Sequence, residues 1–196
     1  MPGTKIPEAE RREQILRAAV AVATNVGLAG VTVRLVAAEA GVSVGLVLFH
    51  FATMDGLRDA LLDWLLEHVL RLDLERARAQ LGTAHERLLA LLAEELAAGD
   101  GLRPEIGLLL EFWVQSGRQP AVRERLRQAL AAYTAVFESL LSDALAPVAP
   151  PAGLADALVR SVLGLGLELL VTAEPRDVSA HLEAVRRLLD AMTSPV

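Results

Sequence analysis

An all-α fold is what this sequence predicts, and three observations carry the prediction. Apolar residues recur at helical spacing along the chain, Ile15, Ala18, Ala19 and Val22 being one such stripe. The segments between stripes are rich in Gly and Pro: "LGTA", "AAGDGLRP", "GRQP", "APVAPPAG" and "AEPRD". No segment shows the alternation of a half-buried strand, and there is no internal repeat or low-complexity tract.

The elements follow in order. Glu8, Glu10 and Glu13 crowd the start of a first helix, where negative charge complements the helix dipole, and Gly27 sits where a glycine ends it. Thr32 caps a short second helix that ends near Ala40. Gly41 makes the turn and Ser43 caps a third short helix. Thr53 or Asp55 opens a long fourth helix running to Gln80. Five more are expected over 84–98, 104–116, 120–145, 152–173 and 177–193, nine helices in all. The Pro-rich "APVAPP" reads as a loop between helices, with a ligand for proline-reading domains as the alternative.

Composition narrows the function classes. Of 196 residues 53 % are hydrophobic, yet no long apolar run is free of charge; the nearest, Ala157 to Ala173, carries Arg160 and Glu168. With no apolar leader at the N-terminus and no cysteine, a cytoplasmic protein without disulfides or thiolate metal sites is expected. The net charge of −6 is the wrong sign for a simple nucleic-acid glove. Its distribution is uneven. In residues 1–57, Lys5, Arg11, Arg12, Arg17 and Arg34 balance Glu8, Glu10, Glu13, Glu39 and Asp55, so the whole deficit lies beyond them.

The stretch "AEAGVSVGLVLFHFATMDGL", residues 38–57, has the grammar of a helix-turn-helix, a motif whose second helix enters the major groove of DNA. With its flanks, "GLAGVTVRLVAAEAGVSVGLVLFHFATMDGLRDALL" over 27–62, it resembles the TetR family of one-component regulators. The stretch "RPEIGLLLEFWVQSGRQPAVRERLRQALAAYTAVFESLL" over 103–141 is similar to the choline-responsive betaine repressor branch, and Gly56 in "MDGL" fits that branch too.

The resemblance implies a homodimer with a DNA-binding domain over 1–53 and a ligand-binding and dimerisation domain over 54–196. It places Thr32 and Arg34 at phosphates, Val44, Gly45, Leu46, Leu48 and Phe49 at bases and adjoining backbone, and His50 at a phosphate. The family usually carries Lys or another polar residue at Val44, Thr at Leu46, Tyr at Leu48 and Lys at Met54; here all four are apolar. Two phosphate clamps per subunit are thereby lost. At roughly 0.9 of salt slope per phosphate, this lowers a dimer's affinity on the order of a hundredfold at moderate salt. What remains is Arg34, His50, helix N-termini capped by Ser43 and Thr53, and the arm residues Lys5, Arg11 and Arg12. Apolar side chains can still touch thymine methyls, favouring A·T steps. Burial of Leu48 and Phe49, in this domain or against a partner, is the competing reading, and the arm cations read equally as a solvated helix face.

In the second part, Trp64 and His68 are four apart on one helix, Leu109, Glu111, Phe112, Trp113 and Gln115 share another, and Tyr133 and Phe137 are four apart on a third. The resemblance implies a small, largely apolar effector among these helices; ordinary core packing is the alternative for each aromatic. Glu111 suggests a cationic ligand by analogy, but seven aromatics allow only a thin cage for one. The last two helices, with Arg160, Gly164, Gly166, Leu182, Val185 and Leu189, would form the dimer interface, with core packing within one subunit as the competitor.

His50, His68, His85 and His181 show no metal-ligand spacing, no phosphate loop follows a strand, and the carboxylates mostly alternate with arginines, so neither catalysis nor a cofactor is expected. Two readings stand. One is a dimeric regulator, expected to be a repressor, that binds pseudo-palindromic double-stranded DNA and is released by an effector. The other is a ligand- or protein-binding module of the same fold whose reading helix is degenerate and which acts through a partner.

Overall fold

In a computed structural model, residues 7–70, 74–98, 103–172 and 179–193 are described. They form ten helices and no strand: α1 (Glu8–Gly30), α2 (Val33–Glu39), α3 (Val44–Phe51), α4 (Met54–Val69), α5 (Leu74–Ala79), α6 (Ala84–Ala98), α7 (Arg103–Ser116), α8 (Pro120–Leu145), α9 (Leu154–Leu169) and α10 (Ser179–Thr193). Among the described residues no single helix is long and apolar enough to cross a membrane.

Nine helices were expected, and the difference lies at the fourth. It ends at Val69 rather than near Gln80, and α5 follows as a separate short helix. No Gly or Pro marks this break. It falls where the chain leaves one compact unit for the other.

The first unit comprises residues 1–69 and 107–125. Its helix α1 packs on α2 and α4, and α3 packs on both α2 and α4. Ile15, Val36, Val47, Leu57, Leu61, Leu62 and Leu65 are its fully buried side chains, drawn from all four of these helices. Gly27, with φ 71° and ψ 163°, interrupts the helical run of α1 as expected, leaving a short hook to Gly30. The second unit comprises residues 70–106 and 126–196, in which α6 packs against α5, α9 and α10. Leu88, Phe137, Leu141, Leu145 and Leu189 are fully buried there.

Candidate nucleic-acid interface

Local chemistry builds the α2–α3 pair. Thr32 is extended at φ −130° and ψ 152°, and its hydroxyl accepts the Leu35 N–H at 3.3 Å. Ser43 caps α3 in the same way, accepting the Leu46 N–H at 3.1 Å. Between them α2 ends in a Schellman motif: the Val42 N–H reaches the Ala37 carbonyl at 2.9 Å and the Gly41 N–H the Ala38 carbonyl at 3.2 Å. Gly41 takes the positive φ of 65° that this motif requires. The two helices meet at 111°, within the range of a helix-turn-helix.

Val47 and Phe51 anchor α3 to the core, so the opposite side of the helix faces outward. Phe49 is 75 % exposed and Val44 and Leu48 39 % each. Gly45 is exposed and Leu46 half-buried. Within this chain Leu48 and Phe49 are therefore not core residues. Leu35 on α2 is 45 % exposed. It was not singled out from the sequence, although the inward positions Val36, Ala37 and Ala40 imply that it points out.

The polar candidates frame this face. Thr32, Arg34, Ser43 and Thr53 are exposed and His50 is half-buried. Arg12 lies 4.5 Å over the Phe51 ring and donates to the His50 carbonyl at 3.5 Å, tying α1 to the end of α3. Arg11 donates to Gln14, which in turn donates to the Ala40 carbonyl at 2.8 Å. Lys5 lies outside the described residues.

The end of α3 is a tight hinge. Ala52 has φ 59° and ψ −50°, and the Thr53 N–H bonds the Phe51 carbonyl at 2.6 Å, a γ-turn of the strained, positive-φ kind. Thr53 then caps α4, its hydroxyl accepting the Gly56 N–H at 3.0 Å.

The residues proposed for an effector fall in both units. In the first, Trp64 is buried and its indole N–H donates to Glu13 at 2.9 Å. The exposed His68 ring stacks on it at 3.7 Å and 17°, donating from Nδ1 to the Trp64 carbonyl. Burial raises the Glu13 pKa, but hydrogen bonds from Arg17 and Trp64 outweigh it and hold the carboxyl below its usual value. Glu111 accepts the Leu28 N–H, so its carboxylate already has a structural partner. Leu109 is buried, and Trp113 is half-buried, its indole nitrogen enclosed and without a partner among the described residues. Phe112 and Gln115, with Leu28, Arg58 and Val122, line a cleft of about 330 Å³.

In the second unit the Tyr133 hydroxyl donates to Glu95 at 2.9 Å, and Phe137 is fully buried beside it. Burial raises the pKa of both Glu95 and Tyr133. Neither Glu13 nor Glu95 was foreseen, because a partner 51 or 38 residues away leaves no local pattern. A cleft of about 630 Å³ lies between Thr134, Leu141 and the loop over 150–153, and none of the residues proposed for the effector lines it.

Of the residues proposed for dimerisation, Gly164 is exposed and Gly166 half-buried, and among the described residues nothing outside their own helix backbone comes within 4 Å of a β-carbon placed on either. Arg160 is exposed and pairs with Asp156, Leu182 and Val185 are half-buried, and Leu189 is enclosed as a core side chain. Leu167, Val171 and Leu188 are exposed alongside. Among the described residues no group of His, Asp or Glu is arranged to hold a metal ion.

Comparison with known proteins agrees with this architecture. The family model for bacterial regulatory proteins of the tetR family matches residues 15–61, and that for the C-terminal part of BetI-type transcriptional repressors matches residues 84–194. The HTH-type transcriptional regulator BetI of Paraburkholderia xenovorans is 29 % identical over 184 residues, covering 92 % of each chain. That of Burkholderia mallei is 28 % identical over 188 residues, 94 % of each. Among solved structures, a transcriptional regulator from Pseudomonas aeruginosa PAO1 superposes with a TM-score of 0.79 at 24 % identity, over 96 % of this chain and 93 % of that one. The multidrug binding protein EbrR, solved with imidazole, is 31 % identical with a TM-score of 0.58, over 100 % and 97 %. The chain belongs to the TetR family of bacterial regulatory proteins, a family of regulators and not of enzymes, as a transcriptional regulator with a C-terminal part of the BetI type.

Proposed function

We propose that this regulator is a cytoplasmic homodimer that binds pseudo-palindromic double-stranded DNA through α2 and α3, and that it represses transcription until a small, largely apolar effector releases it. The observation that carries the reading is the capped α2–α3 pair, set at 111° with one side of α3 held in the core and the other in solvent. Residues 1–53 are the reader and 54–196 the sensing and pairing part. Phosphate contacts are assigned to Thr32, Arg34, Ser43, His50 and Thr53, and base contacts to Val44, Gly45, Leu46, Leu48 and Phe49.

Pairing is assigned to α9 and α10. Among the described residues nothing outside their own helix backbone comes within 4 Å of a β-carbon placed on Gly164 or Gly166, and each costs about 1 kcal/mol relative to Ala inside a helix, which close approach of a second copy would offset. Arg160, Leu182, Val185 and the buried Leu189 are assigned to the same interface. Effector contact is assigned to Trp64, His68, Leu109, Glu111, Phe112, Trp113 and Gln115 in the first unit, and to Tyr133 and Phe137 in the second. Effector and DNA then act by linkage: whichever weakens the other is weakened by the same factor.

The test is binding of the purified protein to duplex DNA from upstream of its own gene, against a scrambled duplex, at two salt concentrations, before and after refolding to strip ligand. Selective binding that weakens with salt supports the reading. Silence toward both duplexes after refolding moves the function to a partner-binding module.

A further inference from the structure

The outward side of α3 offers no hydrogen-bonding side chain. Val44, Leu48 and Phe49 present 39, 39 and 75 % of their surface to solvent, and Leu35 on α2 is 45 % exposed. Gly45, between them, has open space around it: a β-carbon there would meet nothing nearer than the Ser43 hydroxyl at 3.9 Å. The helix backbone can therefore come close to whatever it faces. The Phe49 ring is oriented by an edge contact to the His50 ring at 5.3 Å and 82°.

The surroundings of the patch are of another kind. Arg34 is exposed on α2, Arg12 and His50 meet at the C-terminal end of α3, and Thr32 and Ser43 cap the N-termini of α2 and α3. An apolar centre within a cationic and N–H-donating rim complements one edge of duplex DNA, where phosphates form the walls. The only apolar group that a base pair offers in the major groove is the C5-methyl of thymine.

We propose that Phe49, Leu48 and Val44 read thymine methyl groups, so that this regulator selects A·T steps by apolar contact in place of bidentate hydrogen bonds. The proposal rests on the DNA-binding reading above and names what that site recognises. Each contacted methyl is equivalent to about one buried carbon group, or roughly fourfold in affinity. A matched pair of half-sites then discriminates about fifteenfold for each methyl read by both subunits.

Uracil isolates the effect, since it keeps every hydrogen-bonding edge and charge of thymine and lacks only the methyl. The full-length protein is used to select duplexes from a randomised pool, and the selected duplex is then prepared with thymine and with uracil throughout. The wild type should prefer the thymine form by at least tenfold. Phe49→Ala and Leu48→Ala should each reduce that preference, Phe49→Ala with melting temperature unchanged because its side chain is 75 % exposed. Equal, salt-sensitive binding of the two forms would overturn methyl reading and leave DNA binding intact. An undiminished preference in both variants would also overturn it. Selection of no duplex at low salt would remove the DNA-binding reading itself, and the apolar patch would then belong to a protein partner.

Discussion

Glu111, on α7, takes the backbone N–H of Leu28 at 2.9 Å from a position 83 residues away in the sequence. Leu28 stands just beyond Gly27, where the φ of 71° and ψ of 163° break the helical hydrogen-bond run of α1. The kink frees an amide that the helix would otherwise satisfy, and the carboxylate satisfies it. A β-carbon at Gly27 would stand 3.7 Å from the Glu111 oxygen, an ordinary contact, so it is the positive φ and not the space that favours glycine here.

Truncating this carboxylate should therefore strand a part-buried N–H. Glu111→Ala is expected to lower stability by about 1–3 kcal/mol, and Glu111→Gln, which keeps an acceptor, by a fraction of that. Urea denaturation of the three proteins measures it. Identical midpoints would mean that water serves Leu28 as well as Glu111 does.

Gly56 is fixed by proximity. A β-carbon at this position would run into the carbonyl oxygen of Phe51, at the end of the reading helix. That oxygen is backbone and already accepts the Thr53 N–H, so it cannot swing aside. Gly56→Ala is expected to destabilise by roughly 1–3 kcal/mol despite its higher helix propensity. A rise in melting temperature would show that the α3–α4 junction yields.

Ala52 is the opposite case, a non-glycine residue where glycine belongs. Its γ-turn stores roughly 1–3 kcal/mol of strain, against about 0.4–1 kcal/mol that glycine adds to unfolded-chain entropy. The exposed methyl contributes no packing. Ala52→Gly should raise stability by on the order of 1 kcal/mol. A lower melting temperature would show that the turn carries no strain.

These sites show what the sequence could and could not convey. Caps and turns were legible because their chemistry is local: Thr32, Ser43 and Gly41 do what their types suggest. The outward face of α3 was half legible. Its apolar composition was plain, but exposure depends on Val47 and Phe51 being the pair that faces the core. The end of α4 at Val69 carries no Gly or Pro, and nothing near Glu111 in the sequence announces its backbone partner Leu28. What long-range packing decides leaves no trace in spacing.

Glu13 supplies a pH dependence. The hydrogen bonds from Arg17 and the Trp64 indole hold its pKa below the ordinary value. A carboxyl depressed on folding contributes stability that is complete above its unfolded pKa, about 4.3, and is lost as pH falls through the lower folded value. Trp64→Phe removes one of the two donors. With the Glu13 side chain 36 % exposed and therefore screened, the hydrogen bond is worth about 1 kcal/mol at neutral pH. The stability gap between wild type and variant should be constant from pH 7 to about 5 and narrow below about 4. A gap that stays constant down to pH 3 would assign the whole effect to packing.

The reading face predicts how the grip can be strengthened without changing what is read. Met54, the first residue of α4, stands next to the Thr53 cap and is half-buried. If this helix N-terminus faces a phosphate, Met54→Lys adds one neutralised phosphate per subunit. The salt slope of a dimer should then steepen by about 1.8. A lysine at a helix start opposes the helix dipole by about 0.3–1 kcal/mol, so a small loss of stability should accompany the gain in affinity. The preference for thymine over uracil should not change, because the added charge lies off the Val44–Leu48–Phe49 face. A steeper slope with unchanged base preference separates the positioning of the protein on the duplex from its choice of sequence. An unchanged slope would mean that α4 does not point at the backbone, and that α3 lies in the groove in another orientation.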